Sequence, residues 1–396
     1  MNQINKLDIH GKGQYFTSSL LLKQCVCDFV LNNPDRVLEP SIGRGDLIDI
    51  MQTRFGSLQF DMYEIDSNIN LLPCIDSNNV IYDDFLRQNI SHTYKTIIGN
   101  PPYVRTSTGN LYIDFIQRCH SLLECGGELI FIVPSDFMKL TCAAHLIRHM
   151  METGTFTHVF RPNNEKLFEN ANIDVIVFRY CLDPELEKTV MYNNELKRLI
   201  NTNGTITFAS IHEVTDGVKI EDYFDVLVGM VSGREDVFKN EHFGTLNVLN
   251  GKNIIDKYIM IDNFPTDNEE LNIYLLQHKS ELITRKMRKF NETNWFQWGA
   301  ARNYNKVTNN LGEQCIYVRM LTRDSEIAFV ENVTYFGAGM LALIPKTDAP
   351  HKLDLTKTAI FLNSNQFRDN YLYSGRFKIG QRQLCKSLIN NITACL

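Results

Sequence analysis

Gly99-Asn100-Pro101-Pro102-Tyr103, entered from the apolar run Thr96-Ile97-Ile98, puts two acceptors and an aromatic face into one rigid turn. Each proline locks its own φ and removes a backbone donor, so the Asn100 amide oxygen and the Pro101 carbonyl can both face a pocket. That is equipment for holding a planar amino group, with Tyr103 free to stack on whatever carries it. A Pro-Pro pair alone only ends a strand; the four residues together at a strand end are far more specific.

A glycine turn precedes it. Val37-Leu38-Glu39-Pro40-Ser41-Ile42-Gly43-Arg44-Gly45-Asp46 reads as a buried strand running into a tight loop, followed by a helix start at Leu47-Ile48-Asp49-Ile50-Met51. Gly43 and Gly45 let the backbone approach a ligand closely, and no Gly-Lys-Ser/Thr makes this a nucleotide phosphate loop. Glu64 lies nineteen positions after Gly45, at the end of the strand-like Phe60-Asp61-Met62-Tyr63. An acid about 20 positions on is where such folds hold ribose hydroxyls.

The elements that must position these turns alternate in type, as a parallel sheet covered on both faces requires. A helix is predicted over 20–31 and strands over 36–39, 60–64, 79–82 and 96–99. A helix over 112–123 with Tyr112, Phe115, Ile116, Cys119 and Leu122 on one face follows. A strand over 128–133 comes next, and Val159-Phe160 with 173–180 complete the set as an antiparallel final pair. In a sheet ordered 3-2-1-4-5, the loops after strands one and four meet at the topological switch point, where ligands bind. Those loops are the glycine turn and the Asn-Pro-Pro-Tyr turn.

Together these residues resemble the γ class of DNA adenine methyltransferases, the Taq-type modification enzymes of restriction-modification systems. Gly13-Gln14-Tyr15-Phe16-Thr17 is similar to that class's N-terminal cofactor motif, with Ser18 where the family usually has Pro. Glu39 to Gly45 matches the methionine-binding motif, Tyr63-Glu64-Ile65-Asp66 the ribose motif and Asp84-Phe85-Leu86 the adenine-binding motif. The resemblance implies an α/β, Rossmann-like S-adenosylmethionine-dependent methyltransferase fold with a C-terminal DNA target-recognition domain. It implies S-adenosylmethionine as cofactor, with Thr17 and Glu39 near its methionine end, Glu64 on the ribose, Ile65 beside the adenine and Asp84 on the adenine amino group. Tyr15, Pro40, Ser41, Gly43, Gly45, Phe85 and Asn100 are expected to line the same site. Leu167-Phe168-Glu169-Asn170-Ala171-Asn172 resembles the motif whose aromatic residue, here Phe168, stacks on an extruded base. Asn100, Pro101, Pro102, Tyr103 and Phe168 are thus the expected catalytic set.

At 396 residues and 44% apolar composition the chain has material for two or three cores. No run approaches the ~18 apolar residues of a membrane span, and Met1 to Lys6 does not begin a signal peptide. The ten cysteines lack a framework spacing, so reduced thiols and a cytoplasmic, or host-intracellular, location are expected. No metal site is visible; His145 and His149 have no third ligand. With Met1 to Lys12 ahead of the first motif, a fused nuclease is not expected. Net charge is −6, but Arg285 to Arg323 holds eight basic residues against two acidic, and Gln366 to Lys386 five against one. Basic stretches of this kind make a local field for phosphates. The Arg285 to Lys289 cluster is expected on phosphates and Arg376 at a base, with Arg302, Lys378 and Arg382 as further DNA contacts. Trp295 and Trp298 could be core or DNA-facing. A catalytic domain over 1–185, a linker over 186–243 and a target-recognition domain over 244–396 are expected. So are duplex DNA and a separately encoded restriction endonuclease as partners, no membrane, and a monomer.

The expected reaction is methyl transfer to the 6-amino group of a flipped adenine. Cytosine-5 chemistry needs a cysteine nucleophile, and Pro73-Cys74 follows the second strand rather than the fourth, while Glu331-Asn332-Val333 falls in the other domain. Two alternatives stay open: the same turn acting on an RNA base or a protein glutamine, and a non-catalytic DNA-binding relative.

Overall fold

The computed structural model describes residues 14–56, 58–106, 109–169, 171–212, 217–389 and 395, so Met1 to Gly13 and Asn170 lie outside the described residues. The chain forms two compact units, one of residues 1–213 with Tyr373–Gly375, the other of residues 214–372 and 376–396.

The first unit is a ten-stranded sheet. Strands β1 (Arg36–Glu39), β2 (Gln59–Glu64), β3 (Val80–Tyr82), β4 (Tyr94–Gly99), β5 (Leu123–Pro134), β6 (Thr155–Phe160), β7 (Val175–Cys181), β8 (Thr189–Tyr192), β9 (Glu195–Thr202) and β10 (Thr205–Ser210) lie in the order 10-9-8-6-7-5-4-1-2-3. β1 pairs in parallel with both β2 and β4, which makes their boundary the switch point. β7 runs antiparallel to β5 and β6.

Both faces of the central strands are apolar because both are covered. Val37, Ile98, Ile130, Ile132 and Val177 pack under Leu22 and Val26 of helix α1 (Leu20–Asp28) and Leu47 and Met51 of α2 (Asp46–Phe55). Their neighbours Leu38, Ile97, Leu129, Phe131 and Val133 meet Ile113 and Ile116 of α3 (Leu111–His120) and Ile147 and Met150 of α4 (Ala144–Thr153). The period-2 alternation therefore sorts side chains between two cores rather than between core and water.

A buried carboxylate ties these layers together. Glu128 of β5 accepts from the backbone N–H of Leu31 and Asn32 at 3.1 Å each, just beyond α1. It also accepts from Thr96 Oγ1 on β4 at 2.9 Å and Arg179 Nε on β7 at 2.7 Å. Four donors on one fully buried group replace its lost hydration.

Residues 186–212 are not the expected linker. β8 extends the sheet in parallel with β6, and β8, β9 and β10 form an antiparallel meander, so these residues belong to the first unit. These strands at the outer end of the sheet carry little apolar periodicity, which is why they read as irregular.

The second unit begins before residue 244. Its central sheet joins Phe224–Val228, Met340–Pro345, Gln314–Arg319 and Ala328–Asn332 in that order, all antiparallel. A hairpin of Leu246–Gly251 and Ile254–Tyr258 stands beside it. Trp295 and Trp298 are both buried, the latter donating from Nε1 to the Ile259 carbonyl at 2.7 Å, which assigns both to the core.

Replacing Glu128 by Ala leaves Arg179 buried and unpaired, and we expect a loss of about 3–5 kcal/mol. Urea unfolding of the two proteins measures it, and an unchanged midpoint contradicts the role assigned to this carboxylate.

Candidate active site

The C-terminal ends of β1, β2 and β4 open on a cavity of about 330 Å³. Glu39 lines it from the last position of β1 and Ser41 from the loop that follows, Glu64 and Ile65 from the end of β2, Asp84 and Phe85 beyond β3, and Asn100 and Pro102 after β4. Tyr15, Thr17, Pro40 and Gly43 complete the expected lining. The glycines serve the geometry. Gly45 has φ +93°, and a Cβ there would lie 2.5 Å from Ile75 Cγ1. A Cβ on Gly99 would meet Phe131 at 2.9 Å and Glu39 Oε1 at 3.0 Å, so β4 can lie against that carboxylate only without a side chain.

Three hydrogen bonds hold the Asn100 side chain. Its Nδ2 donates to the Tyr15 carbonyl at 2.7 Å and to Thr17 Oγ1 at 3.0 Å. Its Oδ1 accepts from the Tyr103 hydroxyl at 2.6 Å. Two acceptors on the nitrogen side and a donor on the oxygen side leave one sensible amide orientation, with one Oδ1 lone pair still available. Segment 14–17 thereby straps the Asn-Pro-Pro-Tyr turn. It is held again where Gln14 Nε2 donates to Asp66 at 3.1 Å and where the Arg44 guanidinium lies 4.8 Å from the Phe16 ring centroid.

The acids carry an unusual electrostatic load. Glu39 is 1% exposed, and burial holds its carboxyl well above the usual carboxylate range, eased by the Ser41 N–H and reinforced by Glu64. Glu64 is raised too, first by burial, although it accepts from Gly43 N–H at 3.0 Å and Asp66 N–H at 2.9 Å. A cationic or hydroxyl-rich ligand relieves both groups. The buried Ser41 hydroxyl has no partner among the described residues. Ile65, 71% exposed, offers an apolar shelf in the same cavity as Phe85. Asp84 caps the turn over Phe85–Arg87 by accepting from Leu86 N–H at 3.1 Å and pairs with Arg87 at 3.2 Å.

Residues 19–168 match the family model of the Eco57I restriction-modification methylase. The first unit is therefore related to the methylases of restriction-modification systems. Type II methyltransferase M.HincII of Haemophilus influenzae is 28% identical over 224 residues, 51% of this chain and 43% of that protein. M.MjaIV of Methanocaldococcus jannaschii is 28% identical over 44% of this chain and 65% of its own. M.BsuBI of Bacillus subtilis is 24% identical over 66% and 57%. The chain thus spans less than half the length of the Haemophilus relative. Among solved structures, the type IIL restriction-modification enzyme MmeI in complex with DNA superposes with a TM-score of 0.57 over 92% of this chain and 63% of that one, at 10% identity. The fold is shared with that restriction-modification enzyme, and the match to a restriction-modification methylase model implies S-adenosylmethionine as cofactor. The pocket fits it: buried acids at two depths, an unpartnered hydroxyl and an apolar shelf suit an ammonium group, a ribose and a flat base.

Several expected residues stand elsewhere than their types suggest. Phe168 is buried at 5% exposure, with its ring centroid 6.3 Å from that of Tyr103 and the rings near perpendicular. Tyr103 stacks on Tyr15 at 5.2 Å. Gly45 supports the cavity without lining it. Arg285 is the clearest correction. It is buried and donates to the carbonyls of Leu282, Ser232, Trp295 and Gln297, with its guanidinium 3.9 Å from the Phe290 ring centroid. Burial lowers it to about 10. It cannot reach a phosphate; its acceptors are backbone groups whose convergence no local sequence pattern announces. Arg288 is likewise engaged by Gln297 and Trp298. Arg302, Lys378 and Arg382 are exposed and Arg376 is half-buried, all in the second unit. Ile69, Asp83, Val104, Leu111 and Phe115 line the cavity without having been singled out for it. Leu111 and Phe115 are one helical turn apart on α3, a signal that reads first as core.

Because a ligand ammonium favours ionised Glu39, binding must release a proton wherever the free carboxyl is still protonated. S-adenosylmethionine affinity should fall as pH drops through the raised range, and Glu39→Gln should flatten that dependence. In the free protein the sign reverses, since the neutral buried form is favoured and stability is lost as pH rises through the same range. Calorimetric titration in buffers of different ionisation heat tests this; no proton release in the wild type counts against the assignment.

Proposed function

We propose that this protein is a site-specific DNA methyltransferase that methylates the exocyclic 6-amino group of an adenine flipped out of duplex DNA. The observation that carries the reading is the Asn100 amide, oriented by three hydrogen bonds on the rim of a cavity built for S-adenosylmethionine. When bound, that cofactor supplies an electrophilic methyl group on a sulfonium.

The chain's own residues do the positioning. The remaining Asn100 Oδ1 lone pair accepts one amino N–H of the base, and the Pro101 carbonyl accepts the other. Both bonds draw the nitrogen toward a pyramidal shape whose lone pair faces the methyl group. Glu39 and Glu64 fix the other partner at its ammonium and ribose ends, while Ile65 and Asp84 address its adenine. Alignment of this kind can supply ~7–11 kcal/mol. The proton lost from the product nitrogen passes to water, and no strong base is needed. Tyr103 and Phe168 receive the base, offsetting part of the few kcal/mol that flipping costs.

Methylation of an amino nitrogen rather than of cytosine carbon 5, which needs a thiol nucleophile, is supported by the position of Cys74. Cys74 is exposed in the loop after β2, donates to Asp49 at 3.4 Å and is not among the residues lining the cavity. The second unit, which in this reading recognises the target sequence, distinguishes a DNA enzyme from one acting on glutamine. Relatives named as type II methyltransferases and a solved relative in complex with DNA support this. A separate restriction endonuclease is the partner such an enzyme implies.

Modified-base sequencing of DNA from cells expressing the protein should find N6-methyladenine at one short sequence. Unmodified DNA, or methylcytosine in its place, overturns the proposal. Asn100→Ala should lower methyl transfer by about 100-fold or more while keeping cofactor affinity within a few-fold. Parallel loss of both would mean the turn serves the cofactor.

In the second unit, Arg302→Ala with Arg382→Ala should weaken DNA binding and flatten its salt dependence without lowering the melting temperature. Arg285→Ala should do the opposite and destabilise the unit. If the double variant binds DNA as the wild type does, the exposed cations are not the phosphate contacts.

A further inference from the structure

We infer that the Tyr15 ring is a built-in stand-in for the target base, filling the receiving site until a flipped adenine displaces it. This deepens the reading above and rests on it.

The geometry is that of three aromatic rings. Tyr15 lies against Tyr103 with centroids 5.2 Å apart and planes 27° from parallel. The same ring meets Phe168 at 5.9 Å and 61°. Tyr103 and Phe168 are the rings assigned to the base. A base stacked on this face of Tyr103 and beside Phe168 needs the volume that Tyr15 occupies.

Tyr15 is equipped to leave. Its backbone carbonyl, not its side chain, holds Asn100 Nδ2 at 2.7 Å. Gln14 and Thr17 pin the segment on either side through Asp66 and Asn100. Rotation about the Cα–Cβ and Cβ–Cγ bonds can therefore carry the ring away while the strap and the Asn100 orientation stay in place. The ring is half-buried, so it has an open side toward which to swing. Until then it keeps water off the face of Tyr103 and gives that face a partner of matching flatness. Capture of the base is an exchange of one stacked ring for another, so it is finely balanced and favours a base that also satisfies Asn100 and Pro101.

The test uses the full-length protein with sinefungin and a duplex bearing 2-aminopurine in place of the methylated adenine, in the sequence that modified-base sequencing identifies. Removing the stand-in removes its competition, so Tyr15→Ala should move the ratio of flipped to stacked 2-aminopurine about two- to tenfold toward flipped. Tyr15→Phe, which keeps the ring, should stay with the wild type. Tyr15→Leu, with apolar bulk but no stacking face, should follow the alanine variant and guards against misfolding; melting curves accompany all three. A ratio that falls in Tyr15→Ala makes Tyr15 a wall of the base site and overturns the inference, as does an unchanged ratio. If the wild type methylates adenine yet gives no 2-aminopurine signal, the base is not received between these rings and the inference fails while the methyltransferase reading stands. A wild type that leaves DNA unmodified removes both.

Discussion

The Asn100 side-chain amide is the constraint on which the proposed chemistry depends. An amide can present oxygen or nitrogen to a substrate with nearly equal shape, and only its neighbours decide which. Here the Tyr15 carbonyl and Thr17 hydroxyl claim the nitrogen while the Tyr103 hydroxyl claims one lone pair of the oxygen. Residues 83 and 85 positions apart in sequence, and one in the same turn, set the orientation of a single group. The N-terminal segment is thus part of the proposed acceptor site as well as a wall of the cavity.

The fold supplies the rest of the geometry through one topological fact. β1 lies between β2 and β4, with its crossovers leaving in opposite directions, so the loops after β1 and β4 must part and leave a crevice. Glu39 and Gly99 meet at that parting, and a side chain on Gly99 would meet Glu39 and Phe131. Burying two acids beside it raises their carboxyls. The unfavourable burial is relieved when a ligand brings a cation and hydroxyls, so the free site is electrostatically primed for its occupant. Glu128, equally buried on β5, shows the contrasting arrangement: a carboxylate with four donors holds layers together.

The second unit illustrates how charge misleads. Its basic stretches look alike in sequence, yet Arg285 serves as a hub for backbone carbonyls while Arg302 and Arg382 face solvent. Four well-placed acceptors and the Phe290 face make burial of that guanidinium tolerable. Counting such residues as phosphate contacts would overstate the field available to a nucleic acid.

What the sequence by itself determined is what local spacing encodes. The strand-turn-helix steps at Glu39–Gly45, Glu64 and Asn100–Tyr103 were legible because apolar runs, glycines and prolines act on their own backbone, and the switch-point crevice followed from the order of the elements. The meander of β8 to β10 was not, because strands added at the end of a sheet depend on a neighbour's free hydrogen bonds more than on periodicity. Nor were the burial of Arg285, whose acceptor at Ser232 lies 53 residues away, or the packing of Trp295 and Trp298. The stacking of Tyr15 on Tyr103 belongs to the same class. Those outcomes depend on which groups the folded chain brings into contact, and only tertiary structure decides whether a charged or aromatic side chain meets solvent, a carbonyl or another ring.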